Sequence, residues 1–516
     1  MSHYAPSLAD LATAGLAQTP GNAPGRTDDA HGAGWVLSGL DLARLRHTVS
    51  SGATLSLERR RQHLAALRRM VVEHEDEIIE AVTADVGKPA LEVRLTETST
   101  TVQEIDSLLT HLEEWTATRE VSLPVHLRPA SAHVHLQPKG VVLVIAPWNY
   151  PLQLLLSPLA GALAAGNTAV LKPSEVTSRV ADLVARLVPD YLAPEVVQVV
   201  TGGVPETTAL LEQRFDHIVF TGSTAVGKVV MRAAVEHLTP VTLELGGKSP
   251  TFVDSTMDAV VVARRIAWGK FTNAGQTCIA PDYVLVTPEA RGPLLTALGE
   301  VVREFFGPDP RTSPDLGRIV NGQHHRRLVG LLGGHGGDVV VGGEHDAQDR
   351  YFVAPTVVVD PDLSSPLMQE EIFGPILPVL TVTDAETAAR FVREREHPLA
   401  LYVFSSDEQV RRTFEQRTTS GGMAIGAPLL HVATPDLPFG GVGASGMGAY
   451  HGQASIEEFS HHRSVLSKPV VPDTLSVIYP PHPRWKRTAI TRLMAPLRRP
   501  DPLARVRAAA GRLRRR

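Results

Sequence analysis

Val141-Val-Leu-Val-Ile145 is a short, wholly apolar, β-branched run, the composition of a parallel strand buried on both faces. Pro147 marks its end, an apolar stretch of helical length runs from Leu152 to Ala165, Gly166 stops it, and Thr168-Ala-Val-Leu171 supplies a second strand. Further β-like runs at Val197–Val200 and His217–Phe220 each lead into glycine and then a helical segment. The alternation predicts an α/β fold with a doubly wound sheet. On the N-terminal side, Leu64, Leu67, Val71, Ile78 and Val82 recur at helical spacing from Leu57 to Val82, with Gly87 as a stop. Val102, Ile105, Leu109 and Leu112 repeat the pattern, so two amphipathic helices open a domain that begins near Asp41. Residues 1–40 mix Gly, Pro, Ala and Asp without periodicity and read as a flexible extension. Residues 121–136 read as extended structure inserted into this domain, an outlying hairpin.

A chain of 516 residues exceeds the size at which one core stops growing, so two to four domains are expected, with room for a cleft between them. A hydrophobic content of 43% and a charged content of 20% exclude a disordered or membrane-spanning class. The single cysteine excludes an internal disulfide, and no clustered His/Cys spacing reads as a metal site. With no basic leader and no transmembrane-length apolar run, the expected location is cytoplasmic. The net charge of −5 conceals a basic tail: Pro481–Arg516 holds twelve Lys/Arg against one acid, Asp501. Ile490, Leu493, Leu497, Leu503, Val506 and Leu513 interleave with these cations, while Pro496, Pro500 and Pro502 interrupt any long helix. The tail reads as a shallow, coulombic contact for an anionic membrane surface and not as a specific nucleic-acid site.

Chemistry enters with the one cysteine. Cys278 closes the stretch Gly269-Lys-Phe-Thr-Asn-Ala-Gly-Gln-Thr-Cys278, and Leu243-Glu-Leu-Gly-Gly-Lys248 lies upstream. A lone thiol in a glycine-rich, polar segment, with a carboxylate elsewhere, points to a covalent nucleophile served by a separate base. Phe220-Thr-Gly-Ser-Thr-Ala-Val-Gly227 follows a strand and opens a helix, where glycine lets the backbone approach a ligand and free N–H groups, with the Ser223 hydroxyl, favour phosphate. It does so without the usual G-x-G-x-x-G. Lys172-Pro-Ser-Glu175 puts a cation and a carboxylate at the C-terminal end of the second strand, suited to ribose hydroxyls.

These segments resemble the aldehyde dehydrogenase superfamily and, within it, the class 3 branch that acts on fatty or aromatic aldehydes. The match rests on Ala146-Pro-Trp-Asn-Tyr-Pro151, Lys172-Pro-Ser-Glu175, Phe220-Thr-Gly-Ser223, Leu243-Glu-Leu-Gly-Gly-Lys248, Gly275-Gln-Thr-Cys278, Glu371-Ile-Phe-Gly-Pro375 and Pro438-Phe-Gly-Gly-Val-Gly443, in the family's order and spacing. Leu238-Thr-Pro-Val-Thr-Leu-Glu244, Ala280-Pro-Asp-Tyr283 and Gly446-Met-Gly-Ala-Tyr-His-Gly452 carry the class 3 flavour, and the similarity runs from about Ala43 to Pro481. The resemblance implies that Cys278 is the nucleophile, that Asn149 and the Cys278 backbone N–H form the oxyanion hole, and that Glu244 activates the hydrolytic water. It implies that NAD, with NADP tolerated, lies against Trp148, Lys172, Glu175, Thr221, Gly222, Ser223, Gly227, Leu245, Gly246, Glu371 and Phe373. Gly426-Ala427-Pro428 stands ahead of Leu429-Leu430-His431 where many class 3 members have Asn-Asp, and Ala444 where Asn is common.

The expected organisation is a Rossmann-like NAD(P)-binding domain over 41–120 and 137–244, a catalytic domain over 245–447, a small β bridging element over 121–136 and 448–479, and the basic tail over 480–516. The family resemblance implies a homodimer formed through the bridging element. Two rival readings remain at this level: a reductive or CoA-acylating relative, against which Glu244 argues, and an idle NAD-binding or membrane-surface scaffold, against which Cys278, Glu244 and Asn149 argue.

Overall fold

The computed structural model describes Leu37 and residues 39–494, so the expected extension over 1–40, apart from Leu37, Gly39 and Leu40, and the tail beyond Met494 lie outside the described residues. The chain forms two compact units, one of residues up to Thr116 with Gln137–His461, the other of Ala117–Leu136 with His462 onward.

The first unit opens on the helix Leu42–Ser50, whose N-terminus is capped by the Asp41 carboxylate on the Arg44 N–H. The stretch Leu57–Val82 is two helices, Leu57–Glu73 and Glu75–Val86. His74 breaks it: its ring is tied to Glu77 Oε1 at 2.7 Å and to the Tyr191 hydroxyl at 3.1 Å, and Glu75, Asp76 and Glu77 favour a new helix start there. In the helix Ser99–Trp115 the buried stripe is Ile105, Leu108 and Leu112, with Leu108 in place of the expected Leu109.

Two sheets follow. In the six-stranded sheet the order is Gly446–Met447, Val241–Leu245, His217–Gly222, Val141–Ile145, Thr168–Lys172, Val197–Val199, and all but the first run parallel. Val141–Ile145 is buried along its whole length, as its composition requires. Every residue of the helix Gln153–Ala165 is buried, and Gly166 ends it at φ 89°. The seven-stranded sheet takes the order Asp338–Val341, Thr356–Val359, Ile376–Thr381, Tyr283–Val286, Pro250–Val253, Ala400–Phe404, Gly422–Ile425. Only its Asp338–Val341 edge is antiparallel.

The expected domain limits need three corrections. The limit at 244 falls inside the strand Val241–Leu245, and Gly446–Met447, placed with the catalytic segment, pairs with that strand. Residues 448–461, expected in the bridging element, belong to the first unit. The reason is packing: Ile456 and Phe459 are fully buried, Gly161 lets the helix Gly452–Glu458 approach so closely that a Cβ there would sit 2.7 Å from Ser455 Cβ, and Asn167 Nδ2 donates to the Phe459 carbonyl at 2.9 Å. Residues 117–120 and the described part of the tail group instead with the second unit. That unit holds a three-stranded sheet, Arg119–Glu120, Ser131–Pro138 and Ser460–Ser467, and the helix Arg484–Leu493.

Candidate active site

The strands Val141–Ile145 and His217–Gly222 are neighbours, yet the chain leaves them in opposite lateral directions, toward Thr168–Lys172 on one side and Val241–Leu245 on the other. A crevice opens beyond the strand ends at such a switch point. Trp148 and Asn149 leave the first strand there, Thr221, Gly222 and Ser223 the second, and Glu244, Leu245 and Gly246 the third. All eight line one cavity of about 250 Å³, together with Cys278, Glu371 and Phe373 from the other half of the unit.

Cys278, partly exposed, follows an unusual turn. Asn273, Ala274 and Gly275 are all left-handed, with φ 53°, 51° and 75°, and a Cβ on Gly275 would lie 2.3 Å from the Gly374 carbonyl oxygen. Left-handed backbone costs a non-glycine residue roughly 1–2 kcal/mol, so the turn must be held from outside. The Asn273 N–H donates to Glu92 Oε2 at 2.8 Å and its Nδ2 to the Asn149 carbonyl at 3.0 Å. Gln276 Nε2 donates to the carbonyls of Asn273 and Arg318, both at 3.0 Å. On either side of the cysteine, the Thr277 hydroxyl meets the Tyr150 hydroxyl at 2.6 Å and Tyr402 donates to the Ile279 carbonyl at 2.6 Å. The Gly426-Ala427-Pro428 departure supports this region by packing: Pro428 sits where a Cβ on Gly269 would be, and Arg265 donates to the Gly426 carbonyl at 2.6 Å.

Asn149 is buried, and its Nδ2 donates to the Gln276 carbonyl at 3.1 Å. Its own carbonyl accepts from Lys88 Nζ at 3.1 Å. Lys88 is wholly buried, 2.8 Å from Glu97 Oε1 and 3.8 Å from the centre of the Tyr150 ring. The second Glu97 oxygen accepts from the N–H groups of Leu152 and Gln153 at 3.1 and 3.0 Å, capping a helix whose own N-cap offers no side-chain acceptor.

Glu244 is 2% exposed and neither carboxylate oxygen has a hydrogen-bond partner among the described residues. Burial, aided by the Glu458 charge, lifts its carboxyl well above the usual carboxylate range. Burial and then the Asp282 charge push Glu371 up to about 8, and burial followed by the charges of Glu371 and Glu244 pushes the Cys278 thiol upward. Glu371 is held by its backbone: Arg327 donates to the carbonyls of Glu371 and Ile372, and the Ile372 N–H donates to Asp282 at 3.1 Å. Phe373 sits at φ 49° with its ring 5.4 Å from that of Trp148.

Three expected coenzyme residues lie off this cavity. Lys172 is buried with Nζ on the Pro173 carbonyl at 2.8 Å and 3.8 Å from Glu175 Oε2, whose side chain is half exposed. Gly227 is buried against Leu245, where a Cβ would meet the leucine methyl at 2.7 Å, so its glycine permits helix-to-strand packing and does not face the cavity. The sequence reading missed His324 and Arg327 on the helix Gly322–Leu332, and Leu154, Leu399 and Phe439, all on the cavity wall. It also missed Lys88 and Glu97, because nothing local distinguishes them from surface charges. The residues fit a nicotinamide dinucleotide: Thr221 Oγ1 and Glu371 Oε1 are buried polar atoms without a partner among the described residues, and Ser223 caps the helix Thr224–Val235. At Gly246 the backbone runs so close to Glu371 that a Cβ would sit 2.0 Å from its Oε2.

The model of the aldehyde dehydrogenase family matches residues 44–465. The chain is 48% identical over 441 residues to the rat (Rattus norvegicus) protein "Aldehyde dehydrogenase, dimeric NADP-preferring", covering 85% of this chain and 97% of that one. It is 47% identical over 444 residues to the mouse (Mus musculus) protein "Aldehyde dehydrogenase family 3 member A2", covering 86% and 91%. Among solved structures, the substrate-bound state of Staphylococcus aureus AldH superimposes with a TM-score of 0.84 at 42% identity, covering 88% of this chain and 98% of that one. The chain belongs to the aldehyde dehydrogenase family.

Proposed function

We propose that this NAD(P)-dependent aldehyde dehydrogenase oxidises a medium- or long-chain aliphatic or an aromatic aldehyde to its carboxylic acid, with Cys278 as nucleophile, Asn149 as oxyanion donor and Glu244 as base. The observation that carries the reading is one cavity wall that joins the only thiol of the chain, a buried carboxylate without a partner and a buried amide. Leu154, Leu399 and Phe439 on the same wall support an apolar substrate.

The Cys278 sulfur, its thiol proton first released to solvent, bonds to the carbonyl carbon, and the charge that develops on oxygen is met by the Asn149 side-chain N–H and the Cys278 backbone N–H. A bound oxidised dinucleotide supplies the hydride acceptor. Loss of hydride from the tetrahedral adduct leaves a thioester on Cys278. Glu244 then takes a proton from water as the water attacks, and the sulfur departs. Glu244 thus supports hydrolysis over transfer to CoA. Glu371 and Phe373 would position the nicotinamide ribose and ring, Trp148, Thr221, Gly222, Ser223, Leu245 and Gly246 would wall the dinucleotide, and Lys172 with Glu175 would hold the adenosine ribose. NAD is used and NADP is accepted, since the half-exposed Glu175 can turn away from a 2′-phosphate.

The name of the rat relative, "dimeric", supports a homodimer. Exposed Val470, Val471 and Ile478 in the second unit offer apolar surface for it. Among the described residues no helix is long and apolar enough to cross a membrane. The tail makes the peripheral anionic contact: its helix Arg484–Leu493 carries Arg484, Lys486, Arg487 and Arg492 beside an exposed Trp485.

Four measurements follow from this reading. Alkylation of the coenzyme-free chain, followed at its single thiol, should be slow at pH 7 and still rising above the ordinary thiol pKa of about 8.5, since a raised pKa leaves little thiolate below it. A plateau below pH 8 contradicts the environment described for Cys278. Cys278→Ala should abolish turnover with coenzyme binding intact, whereas Glu244→Gln should give a burst of reduced coenzyme and then hydrolyse about 10²–10⁴-fold more slowly; normal steady-state turnover in the glutamine variant moves the base elsewhere. Glu175→Gln should shift the ratio of kcat/KM for the two coenzymes toward NADP, and an unchanged ratio removes Glu175 from discrimination. The full chain should pellet with anionic vesicles at low salt and a chain truncated after Tyr479 should not; equal pelleting of both, or none, rejects the membrane contact.

A further inference from the structure

On the face of the strand that carries Glu244 runs a hydrogen-bond chain, buried at His217 and Thr242, that the mechanism leaves unused. Thr242 and Glu244 are two residues apart on the strand Val241–Leu245, so both side chains leave the same face of the sheet, and both are buried. The Thr242 hydroxyl donates to Glu458 Oε1 at 2.6 Å. Its proton is thereby committed, so it accepts from His217 Nε2, 2.7 Å away. His217, wholly buried, then presents Nδ1 as an acceptor, and Lys139 Nζ lies 3.1 Å from it. An arrangement that satisfies these contacts has Lys139 donating to His217 Nδ1, His217 Nε2 to Thr242, and Thr242 to Glu458. Burial first, and then the Lys139 charge, hold His217 well below its usual pKa, in keeping with a neutral ring.

Glu458 is anchored by the close approach of Gly448, where a Cβ would stand 3.0 Å from Glu458 Oε1 and 3.0 Å from Thr242 Cγ2. Among the described residues, Glu458 is the charge that adds to burial in raising the Glu244 carboxyl. The other titratable groups within electrostatic reach of Glu244 are Cys278 and Tyr450, while Lys139 and His217 are those on the far side of Glu458. The adjoining strand, Gly446–Met447, brings no charge.

We propose that Glu458 is a positioning residue for the base: tied by its hydrogen bond to Thr242 on the strand face that carries Glu244, its carboxyl group shapes the surroundings of the base and sets the pH range in which the acyl-enzyme is hydrolysed. This rests on the reading of Glu244 as the base. Hydrolysis needs Glu244 ionised, so its rate rises with pH through an acidic limb, and a nearby anion moves that limb upward. An activated aryl ester isolates the step without coenzyme: the Cys278 sulfur displaces the aryloxide to give the thioester, and water hydrolyses it to the acid.

With p-nitrophenyl acetate and the full chain, Glu458→Gln should move the acidic limb of hydrolysis down by about one pH unit, the effect of removing a like charge at short range. Glu458→Asp, which keeps the charge, should restore the parent limb, and Lys139→Gln, which leaves Glu458 unopposed, should move it up. A Glu458→Gln limb that coincides with the parent, or a Glu458→Asp limb that moves as far as that of Glu458→Gln, overturns the proposal. Should Glu458→Gln not fold, an unmoved or lowered limb in Lys139→Gln does the same. Glu244→Gln in the same assay separates the two layers, because undiminished hydrolysis there removes Glu244 as the base, whereas lost hydrolysis with an unmoved Glu458→Gln limb defeats only the role of Glu458.

Discussion

The buried ion pair between Lys88 and Glu97 is the constraint on which the site depends. Lys88 spends one donor on Glu97 and another on the Asn149 carbonyl, and Glu97 spends its second oxygen on the N–H groups of Leu152 and Gln153. Three pieces of chain are thereby locked together: the opening helices, the turn that carries Asn149, and the start of the buried helix Gln153–Ala165. Removing one partner of such a pair typically costs about 3–5 kcal/mol, because the other is left as an uncompensated buried charge. The pair therefore favours one geometry over its alternatives, and Asn149 and Cys278 inherit that geometry through Asn273, which bonds the same Asn149 carbonyl.

Electrostatics within the cavity follow from burial. Cys278, Glu244 and Glu371 share one poorly solvated space, the two carboxyl groups disfavour the ionised form of the thiol, and Glu371 has the cations Arg327 and Lys248 nearby. The resting state thus avoids accumulating negative charge, and both base and nucleophile become strong once ionised. A carboxylate without a hydrogen bond is expensive in an ordinary core; here the same penalty raises the basicity of Glu244, as the proposed role in activating water requires.

Much of this was legible in the chain. The run Val141–Ile145 is apolar on both faces because it is buried on both, and Cys278, singled out as the one thiol in the sequence, lies on the cavity wall. What stayed hidden had no local signature. Lys88 and Glu97 look like surface charges until the fold brings Asn149 over them, and Arg327 reads as one of many helix arginines. Gly227 was legible as a necessary glycine but not for its reason, which is the packing of a helix on Leu245. The break at His74 depends on Tyr191, more than a hundred residues away, and the membership of 448–461 in the first unit depends on Gly161 and Asn167; periodicity along the chain reports neither.

The central claim is that the aldehyde carbon becomes bonded to the Cys278 sulfur and stays there until Glu244 releases it. Intact and peptide mass spectrometry of the Glu244→Gln chain, quenched in acid after mixing with an aliphatic aldehyde and NAD, tests it directly. One acyl group should be added per chain, confined to the peptide that contains Cys278 and removed by hydroxylamine. An acyl mass on any other peptide, or none while reduced coenzyme accumulates, would contradict it.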